Sequence, residues 1–122
     1  MLKDLRDYGV IPVIAVDDRD SGLRLCEALN AGGLPVAEIT FRTAAAEDTI
    51  RAVTDAFPDM IVGAGTVLTV DDLDRAIQAG ARFAVAPGCT PALLEAAAAR
   101  NFVFAPGVCT PSDIERALAY GY

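Results

Sequence analysis

Along this chain, short runs of apolar and largely β-branched residues alternate with longer segments whose apolar positions recur every three or four residues. The runs cover 10–16, 36–41, 60–67, 82–87 and 102–106. Each has the length and composition of a buried strand, and each is followed by a helical pattern. The starts at 10, 36, 60, 82 and 102 are 26, 24, 22 and 20 residues apart, enough for a strand, a crossover helix and two short loops. Five βα units are therefore predicted. Thr43, Thr69, Thr90 and Thr110 stand where helices should be N-capped, and Pro91 and Pro111 take the first helical position, where a missing N–H does no harm. Gly32-Gly33 and Gly80 suit the left-handed residue after a helix. The last two units resemble each other, since Phe83-Ala84-Val85-Ala86-Pro87-Gly88-Cys89-Thr90-Pro91 is echoed by Phe102-Val103-Phe104-Ala105-Pro106-Gly107-Val108-Cys109-Thr110-Pro111. Repeated βα units imply a parallel sheet with helices packed on it by right-handed crossovers. At 122 residues the chain is expected to form one domain, 1–122.

One apolar run carries two opposite charges, Glu38 and Arg42, in Val36-Ala37-Glu38-Ile39-Thr40-Phe41-Arg42-Thr43. If the strand continues throughout, Glu38, Thr40 and Arg42 share one face and Ala37, Ile39 and Phe41 the other. A charge pair taken out of water is costly unless tightly hydrogen-bonded, so such a strip points to a site; the plainer reading is an exposed edge pair worth little. Two architectures use repeated βα units. In an open doubly wound sheet the central strands are covered on both faces, whereas in a closed barrel the same positions line the interior near its mouth. The strip favours the barrel. The expected fold class is α/β of the (βα)8 TIM-barrel type, here only its first five units, since eight at this spacing need about 190 to 200 residues. Strands one and five would then be long apolar edges, and the piece would tend to associate.

Composition narrows the function. Hydrophobic residues make up 53% and charged residues 22% of the chain, as in globular proteins. A net charge of -7 offers no electrostatic footprint for nucleic acid or an anionic membrane. The first residues alternate charged and apolar side chains without the apolar core of a signal peptide, and no apolar run reaches spanning length, so a cytoplasmic protein is expected. Three cysteines without CxxC spacing fit a reducing compartment. Cys26 falls on the apolar face of the first predicted crossover helix; Cys89 and Cys109 follow strands four and five and read as small hydrophobes filling loop space. With no histidine and with acidic residues mostly on predicted helices, no metal-ligand cluster is legible. Asp17-Asp18 after strand one resembles the acidic pair of a phosphoacceptor receiver. That class also needs an acid ending strand three and a lysine ending strand five, where Thr66 and Gly107 stand, so it is rejected.

Taken together, Ile11-Pro12-Val13-Ile14, Ala37-Glu38-Ile39-Thr40-Phe41-Arg42-Thr43, Val62-Gly63-Ala64-Gly65-Thr66-Val67, Ala86-Pro87-Gly88 and Ala105-Pro106-Gly107 resemble the strand motifs of one family. That family is the 2-keto-3-deoxy-6-phosphogluconate and 4-hydroxy-2-oxoglutarate aldolases, the pyruvate-forming class I aldolases of the Entner-Doudoroff pathway. The resemblance runs over nearly the whole chain, in order. It implies that Glu38 is the catalytic acid/base, that Arg42 and Thr66 bind the pyruvate carboxylate, and that Pro87 shapes the wall beside the Schiff base. Read without the family, Thr66 is an ordinary strand-end hydroxyl and Pro87 a turn signal. The resemblance further implies no cofactor, small-molecule partners (pyruvate and a 2-keto-3-deoxy sugar acid phosphate) and a homo-oligomer, commonly a trimer.

Such an aldolase also needs a buried amine to form the Schiff base that acts as electron sink. The family carries this lysine on a sixth strand and its phosphate site on the loops after strands seven and eight. The only lysine here is Lys3, ahead of the first strand, so the 122 residues are expected to hold no Schiff-base lysine and to be inactive alone. The alternatives are a non-catalytic, self-associating half-barrel and a 2-oxo-acid binding module using Arg42 and Thr66.

Overall fold

Five parallel strands lie side by side in the order in which the chain makes them, β1-β2-β3-β4-β5. The computed structural model describes residues 2–122. Its elements are α1 (Leu2–Tyr8), β1 (Val13–Ile14), α2 (Arg19–Ala31), β2 (Val36–Thr40), α3 (Ala46–Ala56), β3 (Ile61–Gly65), α4 (Val70–Gln78), β4 (Phe83–Val85), α5 (Pro91–Ala99), β5 (Phe104–Ala105) and α6 (Pro111–Ala119). The five expected units are present, in an open sheet. The edge strands differ from expectation: β1 and β5 are two residues each, and so short an edge offers little to pair with.

Strand alternation divides the sheet into two unlike faces. On the outer face Ala37, Val62, Ala64 and Ala84 are fully buried and Ile39 is 1% exposed, packed in one cluster with Cys26 of α2, Ile50 and Val53 of α3, Leu73 and Ala76 of α4 and Leu94 and Ala97 of α5. Small residues on the strands let the helices approach closely, and each large aliphatic side chain buried there contributes about 1.5–3 kcal/mol. Burial also pushes the Cys26 thiol up to about 11, so this cysteine serves as a small core hydrophobe.

The inner face has a smaller cluster of Val36, Ile61 and Phe83 at the N-terminal ends of the central strands, with Leu5, Tyr8 and Ile11 packed against it. Helix α1, which the apolar periodicity does not announce, is therefore the floor of the half-barrel. Toward the open side, Val13 is 58% exposed, and a cavity of about 670 Å³ is lined by Leu5, Val10, Ile11, Phe83, Val85 and Val103, among others.

The helix signals hold in part. Thr69 and Thr110 cap α4 and α6 in reciprocal boxes with Asp72 and Asp113, and the N–H of Thr110 helps hold the Asp113 carboxyl below its ordinary value. Thr90 is the N-cap of α5 without a side-chain bond, and Pro91 and Pro111 begin their helices. Thr43 does not cap α3, whose N-cap is Ala45; its hydroxyl instead donates to the Val16 carbonyl at 2.6 Å. Gly33 and Gly80 take the left-handed conformation, with φ of 84° and 98°.

Candidate functional site

The polar residues of the inner face gather at the C-terminal ends of β2 and β3. Glu38 sits at the centre of β2, in register with Gly63. Its carboxyl arm leans toward the strand's C-terminal end and lies over Gly65. Burial raises the carboxyl above its ordinary value, and the charge of Arg42 pulls in the opposite direction.

The expected three-residue strip needs correction. Strand β2 ends at Thr40, and Phe41 and Arg42 are in the turn that follows, so alternation does not set the direction of Arg42. The ladder persists to Phe41, whose N–H donates to the Gly65 carbonyl at 2.8 Å, and then the chain turns. Thr40 is 1% exposed and donates to the Ile14 carbonyl at 3.0 Å; it ties β2 to β1. Nor is there an ion pair between Glu38 and Arg42 among the described residues. The exposed Arg42 instead donates from Nε to Thr66 Oγ1 at 3.4 Å, leaving its terminal guanidinium nitrogens for another acceptor.

Thr66 directly follows β3 and has φ of 56°, a left-handed conformation costing a non-glycine residue roughly 1–2 kcal/mol. Such strain persists only where the surroundings impose it, and it is concentrated at functional sites. The turn bearing Arg42 is held from both sides. Thr40 bonds to the end of β1 and Thr43 to Val16 in the loop after it, while Arg75 lies 5.4 Å from the Phe41 ring centroid and pairs through Nε with Glu47 at 2.9 Å.

Pro87 follows β4, is exposed, and lines a cavity of about 240 Å³ with Val67 and Leu68, the residues after Thr66. It is thus on the neighbouring loop and makes no polar contact with the Glu38, Arg42 and Thr66 group among the described residues. Cys89 is buried, with its Sγ 3.6 Å from the Asp113 carbonyl, as a space-filling residue would be. Cys109 is exposed and does not fill loop space as expected; its N–H donates to the Asp113 carboxylate at 3.3 Å. Asp18 accepts the Ser21 N–H and is the N-cap of α2. Among the described residues no three His, Cys, Asp or Glu gather as metal ligands, and no helix is long and apolar enough to cross a membrane.

Sequence reasoning missed Gly65 and the Arg75–Glu47 brace. The first had a signal, since Gly63 and Gly65 alternate on the same face as Glu38, and glycine at every second position of a buried strand implies something bulky above it. The brace had none, because its partners are 28 residues apart on two helices.

Sequential parallel βα units with an acid and a guanidinium at the strand C-terminal ends define a TIM-barrel-type chain whose candidate site lies at the usual end of that fold. The family model described as KDPG and KHG aldolase matches residues 1–122. The chain belongs to the KDPG/KHG aldolase family. It is 43% identical over 121 residues to the 2-dehydro-3-deoxy-phosphogluconate aldolase of Haemophilus influenzae, covering 99% of this chain and 57% of that protein. It is also 43% identical over 112 residues to the KHG/KDPG aldolase of Escherichia coli K12, covering 92% and 53%. Among solved structures, KDPG aldolase from Legionella pneumophila with pyruvate captured at low pH as a covalent carbinolamine superposes with a TM-score of 0.88 at 41% identity, covering 92% of this chain and 54% of that one. The Zymomonas mobilis aldolase with 3-phosphoglycerate gives 0.85 at 40% identity, covering 91% and 53%. The chain thus spans little more than half the length of these relatives.

Proposed function

We propose that this chain carries the proton-transfer and carboxylate-binding part of a class I aldolase site, for cleavage of 2-keto-3-deoxy-6-phosphogluconate, 4-hydroxy-2-oxoglutarate or both to pyruvate and an aldehyde. The observation that carries the reading is the Arg42–Thr66 contact at the sheet's mouth beside a half-buried Glu38. In this reading, the planar fork of Arg42 and the hydroxyl of Thr66 grip the carboxylate of the keto acid. Pro87 shapes the adjoining wall.

Glu38, its carboxyl raised by burial, takes the proton from the hydroxyl whose carbon becomes the aldehyde and returns it to the enamine carbon, giving the pyruvate iminium, which water then hydrolyses to free pyruvate and the amine. The amine forming that iminium is assigned outside the five units. Lys3, whose side chain lies outside the described residues, belongs to α1, at the opposite end of the strands from Arg42. Calorimetric titration with pyruvate tests the assignment. The wild-type chain is expected to bind and Arg42→Ala to weaken binding at least about tenfold, as for a lost charged hydrogen bond. No binding by the wild type, or an unaffected variant, would sink it. Borohydride with pyruvate is expected to leave the intact mass unchanged.

The apolar cavity of about 670 Å³ supports a second reading, a self-associating half-barrel without catalysis. Light scattering decides it: a dimer or larger species is expected, and a monomer at all concentrations counts against it.

A further inference from the structure

We infer that Gly65 is a positioning residue for Glu38: by presenting no side chain on the inner face of β3, it leaves the seat in which the carboxyl arm lies. The functional meaning of this seat rests on the role proposed for Glu38, but its evidence is geometric. A side chain standing straight up from Glu38 would meet its register partner Gly63. The arm leans one step further along the strand instead. A Cβ built at Gly65 would have Glu38 Cδ at 2.7 Å and Cγ at 2.9 Å, with Oε1 closer still, and real Cβ atoms do not approach so near.

The usual reason for glycine does not apply here. Gly65 is not among the residues with positive φ, so its backbone would accept an L side chain. Its carbonyl accepts the Phe41 N–H, a bond that a side chain would leave intact. What the position requires is space. A glycine inside a strand weakens it, and at a buried position it marks the close approach of another group. Gly63, two residues earlier on the same face, shows the contrast: the three atoms nearest a Cβ built there all belong to the ring of Phe83. Phe83 therefore fills the space over Gly63, the register partner of Glu38, and Gly65 leaves space one step further toward the C-terminal end. Between them they aim the carboxylate toward the mouth, where Arg42, the charged group acting on it, stands.

Thermal unfolding and a ¹³C titration of the Glu38 carboxyl, on the full chain, test the inference with Gly65→Ala, Glu38→Ala, the double variant and Gly63→Ala. Gly65→Ala is expected to lower the unfolding midpoint by about 5 °C or more in the wild-type background and by no more than about 1 °C in the Glu38→Ala background, where the arm is gone. In folded Gly65→Ala the displaced carboxyl should titrate lower, toward an ordinary glutamate. Gly63→Ala should lower the midpoint and leave the Glu38 titration where it was. Should Gly65→Ala fail to fold, recovery of a folded double variant supports the seat and continued failure overturns it. Equal penalties in both backgrounds, or an unmoved titration in Gly65→Ala, likewise overturn it. None of these readouts involves pyruvate, so the seat and the proposed function fail separately.

Discussion

The two faces of the sheet are made by alternate residues of the same strands, yet they behave as different materials. Outward, Ala37, Ile39, Val62 and Ala64 are sealed under helices. Inward, the same two strands present Glu38, Gly63 and Gly65, and β1 presents a Val13 that is 58% exposed. The outer face carries the larger core, and the inner face, apolar at the N-terminal ends of its strands, carries a half-desolvated carboxylate and leads to a strained Thr66. Stability and chemistry are thus separated by a single step along the backbone rather than by distance.

Substitutions test that separation. The largest effect is expected for Ile39→Ala on the outer face, a loss of about 2–5 kcal/mol in urea unfolding. Loss below about 1 kcal/mol would mean that the outer face is not the main source of stability. Next comes Arg42→Ala, expected to weaken pyruvate binding by about 1.5–3 kcal/mol and to leave unfolding within about 0.5 kcal/mol. A large stability loss there would merge the two roles.

Glu38→Gln is expected to stabilise the fold at pH 7. The carboxyl is raised in the folded state, so the folded chain binds more protons than the unfolded one from about the ordinary glutamate value up to the raised one, and stability falls as pH rises through that window. Removing the charge recovers that loss, and the gain should vanish below the ordinary value. A gain that persisted at pH 3 would assign the effect to packing. Smallest is Val13→Ser on the inner face, expected within about 0.5 kcal/mol of wild type in unfolding of the monomer.

How much of this was legible from the residues depends on how local each cause is. The strands stand out because each is a short apolar run followed by a helical period, and the caps at Thr69 and Thr110 because a capping box is complete within four residues. Glu38 was legible as a charge in an apolar strand, and Thr66 and Pro87 only through the family's motifs. Arg42 stood out by its charge, but its direction was misread because alternation was carried past Thr40, where the chain turns. Thr43 read as a cap because nothing local reveals that its hydroxyl bonds to Val16, 27 residues earlier. The left-handed Thr66 and the seat at Gly65 arise between strands, and pattern within one strand does not report them. Helix α1 is seven residues long, too short for its period to rise above its surroundings.

Strand order that follows chain order has a bearing on how the molecule comes into being. Every strand finds its neighbour in the next unit, so no strand waits for a distant one in order to pair. On a ribosome, β2 can dock on β1 while β3 is still inside the exit tunnel, and each emerging unit adds to an edge already in place. Helix α1 emerges ahead of the sheet, but the floor it forms is completed only when Val36, Ile61 and Phe83 have joined it, so the order of synthesis permits assembly from β1 toward β5.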